Sequence, residues 1–365
     1  MPQSEKASRI ILEDGTEFEG ISFGYETSVA GEIVFYTGFP DIPHLLSDPA
    51  LKGVILVIAQ PEIGATGIPD EFPDSFGLDQ NFESPAMQIA GLVIASIAQN
   101  TAQSGTKKTL ARWLKKQQIP ALTGIDTRAL IQRISLRGTM RAKILVDGTK
   151  DVSFSFAGRN NQPLNVSIRH TTNYGSGSKK ILLVDCGVKN STIRSLVASD
   201  TAVIRVPCAY DFSADDFDGV CVCSGPGDPT SCEKTIQILR RVLKLRKPMF
   251  AVGQGAVILA IAAGASAFRM PHGHRGVSLP CLDLENGRCY ITAQNHGYGI
   301  REDSLPDGWE TLFLNNCDNT IEGFTAAKGL FRGVLFQPEG NPGPADTAFL
   351  YTQFLETVRK GGIRE

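Results

Sequence analysis

Residues 248–264, Pro-Met-Phe-Ala-Val-Gly-Gln-Gly-Ala-Val-Ile-Leu-Ala-Ile-Ala-Ala-Gly, constrain this chain more than any other stretch. Met249 to Val252 suffice for a short buried strand, Gly253-Gln-Gly255 for a tight turn, and Ala256 to Ala263 for an apolar helix. A strand turning sharply into a helix is the frame in which a reactive side chain is held between small residues, because nothing bulkier fits the turn. Ala251 and Gly255 are the small flanks such a frame needs. Its centre is Gly253, which has no atom to attack with.

The rest of the chain must supply the layers around that stretch. At 365 residues there is length for two domains, each with its own core. Hydrophobic residues make up 42% and charged residues 20%, the balance of a globular chain and not of a disordered one. A formal net charge of -2 leaves no basic excess for nucleic acid or an anionic membrane. No apolar run approaches the roughly 20 residues of a membrane span. The polar N-terminus lacks the apolar segment of a secretory signal, so the expected location is the cytoplasm. All eight cysteines lie after the midpoint. Cys221 and Cys223 alternate in a strand and face opposite ways, and no Cys-x-x-Cys or His-x-x-x-His spacing occurs. Reduced packing thiols, no metal and no cofactor are therefore expected.

The first half is β-rich. Arg9–Leu12 and Thr16–Gly20 flank a Glu-Asp-Gly turn and read as a hairpin, with further strands at 31–36, 54–58 and 90–94. The Gly-, Pro- and Asp-rich stretch 63–84 reads as a surface loop. Helices are expected at 109–116 and 127–134, the second capped by Asp126. Small polar residues with two glycines place a linker at 171–179, between domains at 1–170 and 180–365. Beyond it, apolar runs near 180–184, 202–206, 218–223 and 249–252 alternate with helices near 191–198 and 233–245. That order predicts a mostly parallel sheet covered on both faces, with ligands at the carboxyl ends of its strands. Ser224-Gly-Pro-Gly-Asp-Pro229 and the Gly253 turn both fall at that end.

These segments carry a family resemblance. Leu12-Glu-Asp-Gly-Thr16, Gly31-Glu-Ile-Val-Phe35, Ser47-Asp-Pro49, Ile125-Asp-Thr-Arg128, Gly225-Pro-Gly-Asp-Pro229, Ile291-Thr-Ala-Gln-Asn-His-Gly297 and Pro342-Gly-Pro344 are similar to the small subunit of carbamoyl-phosphate synthetase. The resemblance implies an α/β chain: a β-rich α/β small-subunit domain, then a class I glutamine amidotransferase domain with a flavodoxin-like, mostly parallel sheet. It also implies hydrolysis of glutamine by a Cys nucleophile with a His base and an orienting Glu, the ammonia passing to a large synthetase subunit.

Here the departures matter. The family elbow Gly-x-Cys-x-Gly-His-Gln stands as Ala251-Val-Gly-Gln-Gly-Ala-Val257, so the nucleophile maps to Gly253. The family segment Phe-Gln-Gly-His-Pro-Glu stands as Phe336-Gln-Pro-Glu339, so Glu339 remains without its His. Two triad members are missing from distant segments. A residual glutamine pocket is implied at Gly225, Gly227, Gln254, Asn295, Gly297 and Tyr298, while Gly38 stands where the family has a Ser contact. His272 and His274, in a segment read as a loop, have the chemistry to bind a metal or to act as replacement bases, but with no acidic partner in sequence they are taken as structural or interface residues, and His296 as structural. Cys223 as a relocated nucleophile lacks the oxyanion geometry of an elbow.

The expected function is a non-hydrolytic partner of a large synthetase subunit in arginine or pyrimidine biosynthesis, working within a heteromer. Two alternatives stay open: a free-standing regulatory module holding glutamine or a related small molecule, and an active glutaminase with relocated residues.

Overall fold

The computed structural model describes residues 6–98, 108–155 and 162–361. The chain divides into two compact units, Met1–Phe72 with Asp79–Gly158, and Pro73–Leu78 with Arg159–Glu365.

In the first unit the strands are β1 (Lys6–Leu12), β2 (Glu17–Ser22), β3 (Val29–Tyr36), β4 (Val54–Ile58), β5 (Glu62–Ile63), β6 (Gly91–Val93), β7 (Ser96–Ile97), β8 (Ala121–Thr123) and β9 (Met140–Val146). Seven of them close into a barrel in the order β1-β2-β8-β6-β4-β3-β9, while β5 and β7 pair separately. Strict alternation of buried and half-buried residues along β9 puts Met140, Ala142, Ile144 and Val146 inside. They meet Ile10, Leu12, Ile33, Ile55, Val57, Val93 and Leu122 in one core. Closure leaves this sheet no unpaired edge. Helices α1 (Ile42–Leu46), α2 (Leu110–Lys116) and α3 (Thr127–Arg137) start at Asp41, Thr109 and Asp126, each accepting a first-turn N–H. The 63–84 stretch has no long element, yet Ile68, Leu78, Phe82 and Glu83 in it are buried, so it is more than a surface loop.

The second unit adds α4 (Gln162–Val166), α5 (Asn190–Leu196), α6 (Glu233–Val242), α7 (Gln254–Ala263) and α8 (Phe349–Arg359). Its strands are β10 (Thr172–Tyr174), β11 (Lys179–Asp185), β12 (Thr201–Pro207), β13 (Gly219–Val222), β14 (Met249–Val252), β15 (Ala267–Asp283), β16 (Cys289–Ile300), β17 (Trp309–Asn315), β18 (Ile321–Ala326) and β19 (Phe331–Val334). They form one sheet ordered β10-β12-β11-β13-β14-β19-β18-β17-β15-β16. The run β12-β11-β13-β14-β19 is parallel, and its strands are apolar on both faces because helices cover both. From β18 to β16 the sheet continues as an antiparallel wing.

Two sequence expectations meet different structure here. Residues 172–174, read as linker from composition, pair antiparallel with β12, because the sheet edge satisfies backbone groups that solvent would otherwise hold. Residues 270–276, read as a loop from Pro and Gly, lie inside β15, whose partner β16 supplies the ladder.

Candidate functional site

The centre of the site is the junction of β14 and α7. Gly253 has φ +57° and ψ -128° and caps α7 without a side-chain hydrogen bond, while its N–H donates to the Val334 carbonyl at 2.8 Å. A positive φ suits glycine and strains other residues, so the tight strand-to-helix turn is present. Gly255 packs where a Cβ would strike the carbonyl oxygens of Val222 and Cys223, which keeps α7 against β13. The space a side chain at 253 would need is taken. A Cβ there would fall on Ser224 Oγ and within 2.8 Å of Ser224 Cβ.

At the end of the neighbouring strand β19 the chain passes through Gln337, whose N–H donates to the Ala293 carbonyl of β16 at 2.8 Å, and reaches Glu339. Both carboxylate oxygens of Glu339 are engaged. Lys189 Nζ lies 3.0 Å from Oε1, Thr192 Oγ1 donates to Oε1 at 3.0 Å, and Tyr351 OH donates to Oε2 at 2.9 Å. Lys189 also donates to Gln337 Oε1 and to the carbonyls of Gly340 and Asn341, so its buried ammonium is fully surrounded by acceptors. The loop carrying Lys189 is held by Asp185, whose Oδ1 accepts the N–H groups of Gly187 and Val188. Burial, with the Glu339 charge adding to it, pushes the Tyr351 phenol far above its ordinary value. Tyr351 thus stays a neutral donor. Sequence reasoning placed Ser224 at this end of the sheet without a role and missed Lys189, Thr192 and Tyr351.

The other expected residues divide. Gly225 sits where a Cβ would strike the Cys186 carbonyl, and Gly227 has φ +86°. Gln254 donates Nε2 to the Gly227 carbonyl at 3.3 Å, and its buried Oε1 has no hydrogen-bond partner. Those three lie together at the ends of β13 and β14. Asn295, Gly297 and Tyr298 are on β16 across from Arg275 and Arg269 of β15, half-buried. A Cβ at Gly297 would touch the Arg275 guanidinium. Gly38, in the other unit, has φ +85°.

His274 has the acidic partners that its sequence neighbours lack. Its Nδ1 is 2.6 Å from Glu322 Oε1 and its Nε2 is 3.0 Å from Asp318 Oδ2, while His296 stands opposite it on β16. Six of the eight cysteines are buried, Cys289 and Cys317 being exposed. Burial, reinforced by Asp185, pushes the Cys223 thiol far above its ordinary value, which keeps it un-ionised.

Comparison with known proteins places this geometry. The family described as carbamoyl-phosphate synthase small chain, CPSase domain, matches residues 10–144, and glutamine amidotransferase class-I matches residues 182–357. The carbamoyl phosphate synthase arginine-specific small chain of Aspergillus fumigatus is 36% identical over 368 residues, covering 98% of this chain and 81% of that one. The chain belongs to the carbamoyl-phosphate synthase small-chain family. Within that family it is also similar to carbamoyl-phosphate synthase [ammonia], mitochondrial, of Mus musculus, 39% identical over 360 residues and 98% of this chain. The multifunctional protein CAD of Squalus acanthias is 40% identical over 96% of it. The chain spans 24% of the length of the mouse relative and 16% of the dogfish one. As a small-chain homologue it is thus a two-domain α/β protein with a class I amidotransferase domain. Among the described residues no helix is long and apolar enough to cross a membrane.

Proposed function

We propose that this small-chain homologue is a non-hydrolysing partner of a large synthetase chain. The observation that carries the reading is the elbow itself: its turn survives, but position 253 has no side chain, and Ser224 fills the volume one would need. Glu339, the residue that would orient a catalytic His, is committed to Lys189, Thr192 and Tyr351. Losing a triad nucleophile or base elsewhere costs roughly a million-fold in turnover, so glutamine hydrolysis by this chain should be negligible. The name of the mouse relative, which specifies ammonia, supports a role in which a synthetase draws on free ammonia. Arginine or pyrimidine precursor synthesis fits the relatives, the cytoplasm is the proposed location, and this reading requires no nucleic acid, membrane, metal or cofactor.

The test is ammonia release from glutamine by the purified chain, alone and with a large synthetase chain. No release above background, together with co-elution of the two chains at micromolar concentration, is the expected result. Release at ordinary enzymatic speed overturns the reading, and so does failure of the chains to associate. Gly253→Cys alone should stay inactive, since the thiol would collide with Ser224 and has no imidazole to activate it.

A second reading, a free-standing module that holds glutamine or a related amino acid, is favoured by one feature. Gln254 Oε1 is a buried acceptor without a partner beside Gly225 and Gly227. Calorimetry with glutamine separates the two, because the first reading expects little or no heat of binding. The third alternative, relocated catalytic residues, is met by the same ammonia assay.

A further inference from the structure

We propose that His274, His296 and Glu322 form a binding site for a divalent cation of the zinc class, behind the strand that carries Asn295 and Gly297. The geometry that points to it is the way the side chains face one another. His296 Nδ1 is 3.0 Å from the Tyr298 carbonyl, which can only accept, so Nδ1 carries the hydrogen. The remaining nitrogen, Nε2, points at Glu322 Oε2 at an ion-pair distance of 3.3 Å, and neither atom has a well-aligned hydrogen bond. His274 is held from both sides. Its Nε2 is 3.0 Å from Asp318 Oδ2 and its Nδ1 is 2.6 Å from Glu322 Oε1, and since a carboxylate only accepts, each ring nitrogen shares a hydrogen with its partner in the metal-free chain. The Asn315 amide also donates to Glu322 Oε1, at 3.3 Å.

Two imidazole nitrogens thus converge on one carboxylate that is fully buried. A carboxylate in a low-dielectric place needs a positive charge beside it, and in the metal-free chain a proton on His274 fills that need. A divalent cation would take the place of that proton. Each histidine already has the outer partner that metal-bound imidazole normally has, a backbone carbonyl for His296 and a carboxylate for His274. The donor atoms of the three residues lie within 4.8 Å of one another. Ligand bonds of about 2.0–2.2 Å ask for donors a little over 3 Å apart, so closure by roughly an ångström completes the set. On binding, the His274 Nδ1 proton would leave to solvent, and two neutral imidazoles with one carboxylate then leave a dication with a single excess charge, which Asp318 balances. His274 and Asp318 are the more exposed members and give the ion an approach from solvent.

The site would tie the consecutive strands β15 and β16 to β18. His296 alternates with Asn295 and Gly297, so the ion would brace that strand from the face opposite to them. The inference stands independently of the proposed function, since it uses none of the hydrolytic positions.

The experiment is a titration of chelator-treated, tag-free full-length protein with Zn²⁺, followed by calorimetry, and with Co²⁺, followed by visible absorption. One Zn²⁺ per chain is expected, with Co²⁺ giving d–d bands of a low-coordinate site and no thiolate charge-transfer band. His274→Asn and Glu322→Gln should abolish both signals while circular dichroism is unchanged, and a Cys289→Ser/Cys317→Ser double variant should retain them. Absence of uptake in the wild-type protein overturns the proposal. So does uptake that survives His274→Asn, or that disappears with the two exposed cysteines. Should Glu322→Gln fail to fold, the wild-type cobalt spectrum and the half-buried His274→Asn variant still decide.

Discussion

Lys189 shows what a single buried charge commits a site to. Its ammonium and the Glu339 carboxylate are both out of water, each satisfied by further hydrogen bonds. Removing one partner strands the other, so Lys189→Met should cost about 3–5 kcal/mol, read from urea unfolding midpoints. His44 gives a prediction with a sign. Burial alone would lower its pKa, but the Asp41 carboxylate at Nδ1, with Glu83 and the Gln80 carbonyl beyond, outweighs burial and raises it. A raised folded value means the stabilisation is complete below the ordinary histidine value of about 6.5 and is lost as pH rises through the folded one. Melting temperatures taken from about pH 6 to about pH 9 should therefore fall more for wild type than for His44→Gln.

At the scale of elements, the elbow is held by close approach. A methyl at Gly255 would meet the Val222 and Cys223 carbonyls, so the helix-propensity gain of Gly255→Ala is outweighed by overpacking. The expected result is destabilisation of about 1–3 kcal/mol by denaturant titration. This turn was legible from residues 248–264 because two apolar runs around Gly-x-Gly are a short-range signal, and β14 spans Met249–Val252 as read. The helix cap at Asp126 was legible too, from a short polar residue just before a helical apolar period, whereas Thr109, read as helical, turns out to be a cap. The wing was not. β15 holds Pro271, Gly273 and Gly276 among its 17 residues, a composition that reads as loop. Its strand character comes from hydrogen bonds to β16 and β17, which no local window contains.

For the whole molecule, the family frame sets what the assembly should do. If the chain serves a synthetase as a non-hydrolysing partner, carbamoyl phosphate formation by the complex should respond to ammonium salt and not to glutamine. A glutamine-dependent rate matching the ammonium-dependent one would count against that role. The two cores explain why the fold persists without the chemistry: the barrel interior and the apolar sandwich around β14 use none of the side chains a glutaminase needs.

By itself the amino-acid order determined the two-part α/β plan, the strand–turn–helix at Gly253 and the absence of a thiol and an imidazole from the two segments where the family resemblance expects them. Periodicity, turn chemistry and residue identity are all properties of neighbours along the chain. Only the folded molecule decided that Ser224 occupies the space beside Gly253, that Lys189 captures Glu339, and that two histidines converge on Glu322. Those are meetings between segments joined by long stretches of chain. Which side chains share a buried volume is settled by how the layers pack, and sequence distance says nothing about that.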